Sequence, residues 1–209
     1  AGERASALAV AAIEQFTLNT FRWFFRADSA EAQEALRDFQ SALQHADARI
    51  LDEAAEHPEL SGMGTTLTSM CLREEDALLS HVGDSRAYLF RDGSLTQLTD
   101  DHSLVAQAVR EGILTPAQAA RHPQRNIITR ALGTKDTVEV DALVIKVKKG
   151  DLLLMSSDGL HGFVEDAEIT EILSRNSDCL DDLTDDLIKA ALEKGGPDNV
   201  TVVLSKVAE

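Results

Sequence analysis

Positive charge is scarce in this 209-residue chain: 20 lysines and arginines stand against 36 aspartates and glutamates, a formal net charge of -16. A surface that acidic repels phosphodiester backbones and anionic lipid, which argues against partners of either kind, nucleic acid or membrane. It suits divalent cations, although acidity alone is also the ordinary device of a soluble protein. Cysteine is nearly absent. Cys71 and Cys179 stand far apart and outside any CxxC pattern, so neither a disulfide framework nor a zinc site is expected, and a reducing compartment fits. No apolar run approaches the roughly 18 to 20 residues of a spanning helix. No basic start followed by an apolar stretch marks a signal peptide. The expectation is a cytoplasmic monomer. Its 44% apolar and 27% charged content is that of an ordinary globular protein, long enough for one domain with a substantial core.

The first third has helical periodicity. Val10, Ile13, Phe16, Thr17, Phe21 and Phe24 recur at three- and four-residue steps, as do Leu36, Phe39, Leu43, Ala46 and Ile50 after a break near Ala27-Asp28-Ser29. Two amphipathic helices packed side by side are expected, the second ended by His57-Pro58, with Trp23 and the phenylalanines as core. From Gly62 the period becomes that of strands: 65–72, 77–82 and 86–90, then a hairpin turn on Asp92-Gly93 returning as 95–98. Leu143, Ile145 and Val147 alternate with Val144, Lys146 and Lys148, the pattern of a half-buried strand, and 152–155 is a continuous apolar run expected to be buried on both sides. Between these lies a helical insertion. Residues 103–111 are expected to be helical and to stop at Gly112, and Thr115-Pro116-Ala117-Gln118 has the form of a capping box. Near the C-terminus, Asp166 is placed to cap one helix and Ser177 another, and 199–207 is expected to be the last strand. Helices flanking antiparallel sheets in one domain are expected.

Three acidic sites stand where strands give way to turns: Asp101 in Leu98-Thr99-Asp100-Asp101-His102-Ser103, Asp158 in Ser157-Asp158-Gly159-Leu160, and Asp198 in Gly196-Pro197-Asp198-Asn199. Carboxylates on rigid strand ends suit hard cations such as Mg²⁺ and Mn²⁺, which take oxygen ligands rather than thiolate or imidazole. Singly, each has a plainer reading: Asp-Gly and Pro-Asp-Asn are common turns, and Asp101 could cap the helix that follows. Their joint pattern carries more weight.

Seven stretches, in order, resemble the PPM (type 2C) protein phosphatases, the bacterial branch in particular. They are Gly2-Glu3-Arg4-Ala5-Ser6, Gly62-Met63-Gly64-Thr65-Thr66, the stretch from His81 through Gly83-Asp84-Ser85-Arg86 to Tyr88, the Asp101 stretch, the run from His122 to Gly133, and the Asp158 and Asp198 stretches. The resemblance implies an α+β fold, an α-β-β-α sandwich of two antiparallel sheets flanked by helix pairs. It implies Asp158 and Asp198 as ligands of a first catalytic metal and Asp101, with Asp158, as the ligands of a third, looser one. Asp84 is implied to be structural rather than a ligand. Residues at about 103–126 correspond to the family's flap, which influences substrate choice. This sets His102, His122 and Arg125 near substrate, with a hydrogen-bonded structural role the plainer reading of both histidines.

In that family the Gly-Glu-x-Ala-Ser stretch follows a glycine-rich Asp-Gly-x-Gly-Gly-His motif that carries the bridging aspartate and the histidine general acid. The resemblance places that motif, with the first sheet strands, upstream of Ala1, so that no catalytic histidine is assigned within the chain and the chain is expected to be the C-terminal majority of the domain. The implied activity is metal-dependent hydrolysis of phosphoserine and phosphothreonine in proteins, with Mn²⁺ or Mg²⁺ as cofactor and two catalytic ions. For this chain alone the expectation is impaired turnover. Phosphoprotein substrates, and a cognate Ser/Thr kinase, are the implied partners. A non-catalytic phosphatase-like binding module is the competing reading.

Overall fold

The periodicity change at Gly62 marks a true change of structure. In the computed structural model the elements run α1 (Gly2–Phe24), α2 (Ala30–Glu56), a 3-10 turn (Pro58–Leu60), β1 (Leu67–Arg73), β2 (Asp76–Val82), β3 (Arg86–Arg91), β4 (Ser94–Gln97), α3 (Leu104–Arg110), α4 (Pro116–Ala119), β5 (Asp141–Lys146), β6 (Leu152–Ser156), α5 (Asp158–His161), α6 (Asp166–Leu173), α7 (Leu180–Glu193) and β7 (Val202–Lys206). The structure describes residues 1–24, 30–73, 75–134, 137–175 and 179–208, with side chains omitted at 16–24 and 30–35. The expected break at Ala27-Asp28-Ser29, the side chains of Phe16, Thr17, Phe21, Trp23 and Phe24, and the expected cap Ser177 therefore lie outside the described residues. Two compact units emerge, 1–83 with 128–146 and 84–127 with 147–209. Each holds one antiparallel sheet with helices, so the α+β expectation holds.

In the first unit the sheet order is β1-β2-β5. Phe39, Leu43, Ala46 and Ile50 are buried along α2 as their spacing requires. Of the expected α1 stripe Ile13 packs against the core, but the fully buried positions are alanines. Ala5, Ala9 and Ala12 are buried while Val10 is 51% exposed. The alanines share a core with Leu43, Ala46, Ile50, Met63 and Val82, and small side chains let two helix backbones approach closely where valine would hold them apart. His81 is fully buried in β2, its Nδ1 2.9 Å from Thr68 Oγ1.

In the second unit the order is β4-β3-β6-β7. The β3–β4 hairpin turns on Asp92 and Gly93 with φ of 52° and 79°, the two positive values that a type I′ turn needs. Strand β6 has a neighbour on each side, and Leu152, Leu153, Leu154 and Ser156 are buried. Tyr88, Leu154, Leu160, Ile169 and Leu187 form the centre of the core beneath α6 and α7. Ser103 caps α3 by accepting from Ala106 N, and the Thr115–Gln118 capping box is complete. Two boundaries shift from expectation. Asp166 is the first residue of α6, not its cap; Glu165 holds that position without a side-chain bond, and Asp166 instead offers negative charge to the helix N-terminus. The last strand starts at Val202 because Asn199 and Thr201 are engaged by Ser157, as described next. Among the described residues no helix is long and apolar enough to cross a membrane.

Candidate metal centre

Antiparallel pairing in the order β4-β3-β6-β7 brings the end of β4, the start of β3, the end of β6 and the start of β7 to one edge of the sheet. Arg86 pairs with Ser156 and Ser156 with Val202. Asp84, two residues before Arg86, and Asp158, two after Ser156, therefore leave the same rung. Asp198 enters beside them and Asp101 follows β4. All four line one cavity of about 440 Å³, together with Arg86, Arg110, Arg125 and His161, and with Val105, Val109, Ala119 and Phe163.

The Asp158 and Asp198 turns are stitched to each other. Ser157 N donates to Thr201 O at 3.0 Å, Ser157 Oγ donates to Asn199 O at 3.2 Å, and Thr201 N donates back to Ser157 Oγ at 3.0 Å. Gly159 packs so tightly that a Cβ there would lie 2.2 Å from Asn199 O. Glycine is required at this position by contact, not by backbone angle.

The carboxylates crowd one another. Burial and the neighbouring Asp198 push the Asp158 carboxyl above its usual range. Asp84 is pushed up to about 6 by burial and by Asp158, with a smaller contribution from Asp101. Asp101 itself is ion-paired. Arg86 grips both of its oxygens, Nε to Oδ1 at 2.8 Å and Nη2 to Oδ2 at 2.7 Å, while Arg86 Nη1 also donates to the Tyr88 hydroxyl at 3.2 Å. Gln97 Nε2 approaches Asp101 Oδ1 at 3.3 Å, and Arg110 Nη1 donates to the Asp101 carbonyl at 3.2 Å.

The cavity thus unites all three aspartates singled out in the sequence, but in unequal roles. Asp158 and Asp198 are adjacent and electrostatically coupled. Asp101, expected as a ligand, has its carboxylate committed to a bidentate ion pair. The acid that faces Asp158 is Asp84, which sequence reasoning treated as structural. Its signal was Gly83-Asp84-Ser85-Arg86 at a strand start, but only the β3–β6 register relates it to Asp158. Among the flap candidates Arg125 lines the cavity, whereas neither His102 nor His122 is among its lining residues. His102 is buried, and His122 Nδ1 accepts from Gln124 N at 3.1 Å. The segment is closed at its base by Leu104 N donating to Ile127 O at 2.9 Å.

Oxygen-only donors and surplus negative charge fit a hard divalent cation. Among the described residues no three acidic, histidine or cysteine side chains form a closed cage. One or two carboxylates completed by water or substrate oxygens is how Mg²⁺ is ordinarily held.

The sequence matches the family model of protein phosphatase 2C over residues 1–194. It is 39% identical over 173 residues to the serine/threonine phosphatase stp of Listeria innocua serovar 6a, a match covering 83% of this chain and 68% of that protein. It is 39% identical over all 209 residues to the serine/threonine protein phosphatase PstP of Mycobacterium tuberculosis (strain CDC 1551 / Oshkosh), covering 38% of it. A crystal structure of the catalytic domain of PstP in complex with two manganese ions superposes with a TM-score of 0.84 at 36% identity, covering all of this chain and 82% of that one.

Proposed function

Because the chain belongs to the protein phosphatase 2C family, we propose that it forms most of a single phosphatase domain that removes phosphate from phosphoserine and phosphothreonine in proteins, with Mn²⁺ or Mg²⁺ held at the carboxylate edge of the four-stranded sheet. The observation that carries this reading is the convergence of Asp84, Asp158 and Asp198 in one cavity. Asp158 would be the pivot, holding one ion with Asp198 and a second with Asp84. Such cations supply Lewis-acid polarisation of the phosphoryl group and activation of a water nucleophile.

The chain's own residues do the rest. Ser157 and Gly159 hold the Asp158 and Asp198 turns at a set separation. Arg86 keeps the Asp101 carboxylate out of competition for the ions. Arg110 and Arg125 set positive charge on the cavity wall for an anionic substrate, and the apolar wall of Val105, Val109, Ala119 and Phe163 limits water around the phosphoryl group. No protein nucleophile is needed. Cys71 lies in β1 and Cys179 just before α7, and neither is among the cavity's lining residues. Phosphoproteins are the substrates; a cytoplasmic, monomeric enzyme opposing a Ser/Thr kinase is the setting that family analogy supports.

Residues 1–209 contain no Asp-Gly-x-Gly-Gly-His motif, so this stretch alone should turn over slowly. The test is manganese-dependent phosphate release from a phosphothreonine peptide by residues 1–209 and by a longer chain carrying that motif. Equal rates would overturn the impairment, and no release by either would overturn the phosphatase reading. A non-catalytic binding module is disfavoured, since crowded, raised-pKa carboxylates cost stability and serve no purpose in simple adhesion.

A further inference from the structure

One titratable side chain of the cavity has no part in the chemistry above. His161 closes α5, the single helical turn that begins at Asp158. Its Nδ1 lies 3.0 Å from Ser156 Oγ at the end of β6, and the ring lies beside the backbone of Asp84 in the same cavity. Ser156 in turn pairs with Arg86, two residues beyond Asp84. A single imidazole therefore joins the turn that carries Asp158 to the last residue of β6, next to the loop that carries Asp84. Nothing in the sequence around His161 announced a partner.

Two roles compete for such a residue. A proton donor to the departing alcohol needs a free N–H and a pKa near the working pH. A neutral imidazole has one donor and one acceptor, and here Nδ1 is already engaged by the Ser156 hydroxyl. The geometry is that of a brace.

We propose that His161 is a positioning residue of the metal centre: by holding the turn that carries Asp158 to the end of β6, beside the loop that carries Asp84, it sets the separation of those two carboxylates and so the affinity of the cation they would share. The inference rests on the metal-centre reading above. Groups that orient ligands from behind typically change metal affinity by about 10- to 100-fold when removed.

The test is calorimetric titration of the chain with Mn²⁺ near neutral pH, with the metal-free melting temperature measured in parallel. Four proteins are compared: wild type, His161→Leu, His161→Gln and Leu183→Ala. The leucine variant removes the bond to Ser156 and should weaken Mn²⁺ binding by about 10- to 100-fold. The glutamine variant keeps an amide that can reach the Ser156 hydroxyl and should recover most of the affinity; it also carries the test if the leucine variant fails to fold. Leu183, buried in the core of the same unit, controls for general destabilisation. Its truncation should lower the melting temperature and leave Mn²⁺ affinity near wild type. Unchanged affinity in both His161 variants would overturn the positioning role while leaving the metal centre standing. Absence of Mn²⁺ binding by the wild type would overturn the metal centre and this inference with it. Equal loss of affinity in Leu183→Ala would reduce His161 to an ordinary structural residue.

Discussion

At the scale of single residues, the centre depends on carboxylates that repel one another until a cation arrives. Asp84 is the sharpest case. Its folded pKa of about 6 lies above the ordinary 3.8, so the folded protein binds the extra proton between those values. The stability this contributes is present below the ordinary pKa and is lost as pH rises through about 6. His161 has the opposite sign. Its pKa is depressed from 6.5 to about 4, so its contribution is present above 6.5 and is lost as pH falls toward 4. A cation requires ionised Asp84 and competes with the proton. The rise in melting temperature caused by Mn²⁺ should therefore be large at pH 7.5 and shrink below pH 6, as thermal shift against pH would reveal; a shift independent of pH would remove Asp84 from the centre. Asp158→Asn should abolish the shift at every pH. Stabilisation by a ligand follows its occupancy, about 2.7 kcal/mol at 100 times Kd, and without the pivot that occupancy is gone.

At the scale of elements, the turn between β6 and α5 and the turn before β7 behave as one piece. Gly159→Ala would drive a Cβ against Asn199 O, 2.2 Å away in the present geometry. Relief requires the two turns to part. We expect a loss of about 1–3 kcal/mol, the usual cost of overpacking, accompanied by weaker Mn²⁺ binding, because the same movement separates Asp158 from Asp198. Urea unfolding with a parallel Mn²⁺ titration would measure both. The helix after Asp101 offers a milder contrast. Ser103→Ala removes the bond accepted from Ala106 N and should cost about 1 kcal/mol of stability. Its effect on metal affinity should be small, because Asp101 is held by Arg86 and not by the cap.

At the scale of the molecule, a chain of formal charge -16 gathers five of its aspartates around one cavity at a sheet edge, and the buried strand β6 makes this possible. Leu154 is fully buried in the core beneath that edge. Its truncation to alanine should cost about 2–5 kcal/mol, read as a lower denaturant midpoint. The helices, the hairpin and the caps were legible in the sequence because their signals are local. The 3.6-residue period of α2 selects Phe39, Leu43, Ala46 and Ile50. Asp92-Gly93 supplies two positive φ angles, and Thr115 with Gln118 closes its own box. On α1, Val10 was expected inward and the buried alanines were missed, because periodicity ranks valine above alanine, whereas a close helix pair reverses that order.

By itself the sequence determined the elements, the turns, the family motifs and the set of acids from which a centre could be built. It did so because propensity, capping and turn chemistry act between residues a few positions apart. Only the tertiary structure decided which acids meet. The β3–β6 register brings Asp84 to Asp158 across more than seventy positions of chain, Arg86 claims Asp101, and His161 acquires its partner from the end of β6. Register and burial are properties of paired strands and of a shared low-dielectric interior, and neither exists until the chain has folded.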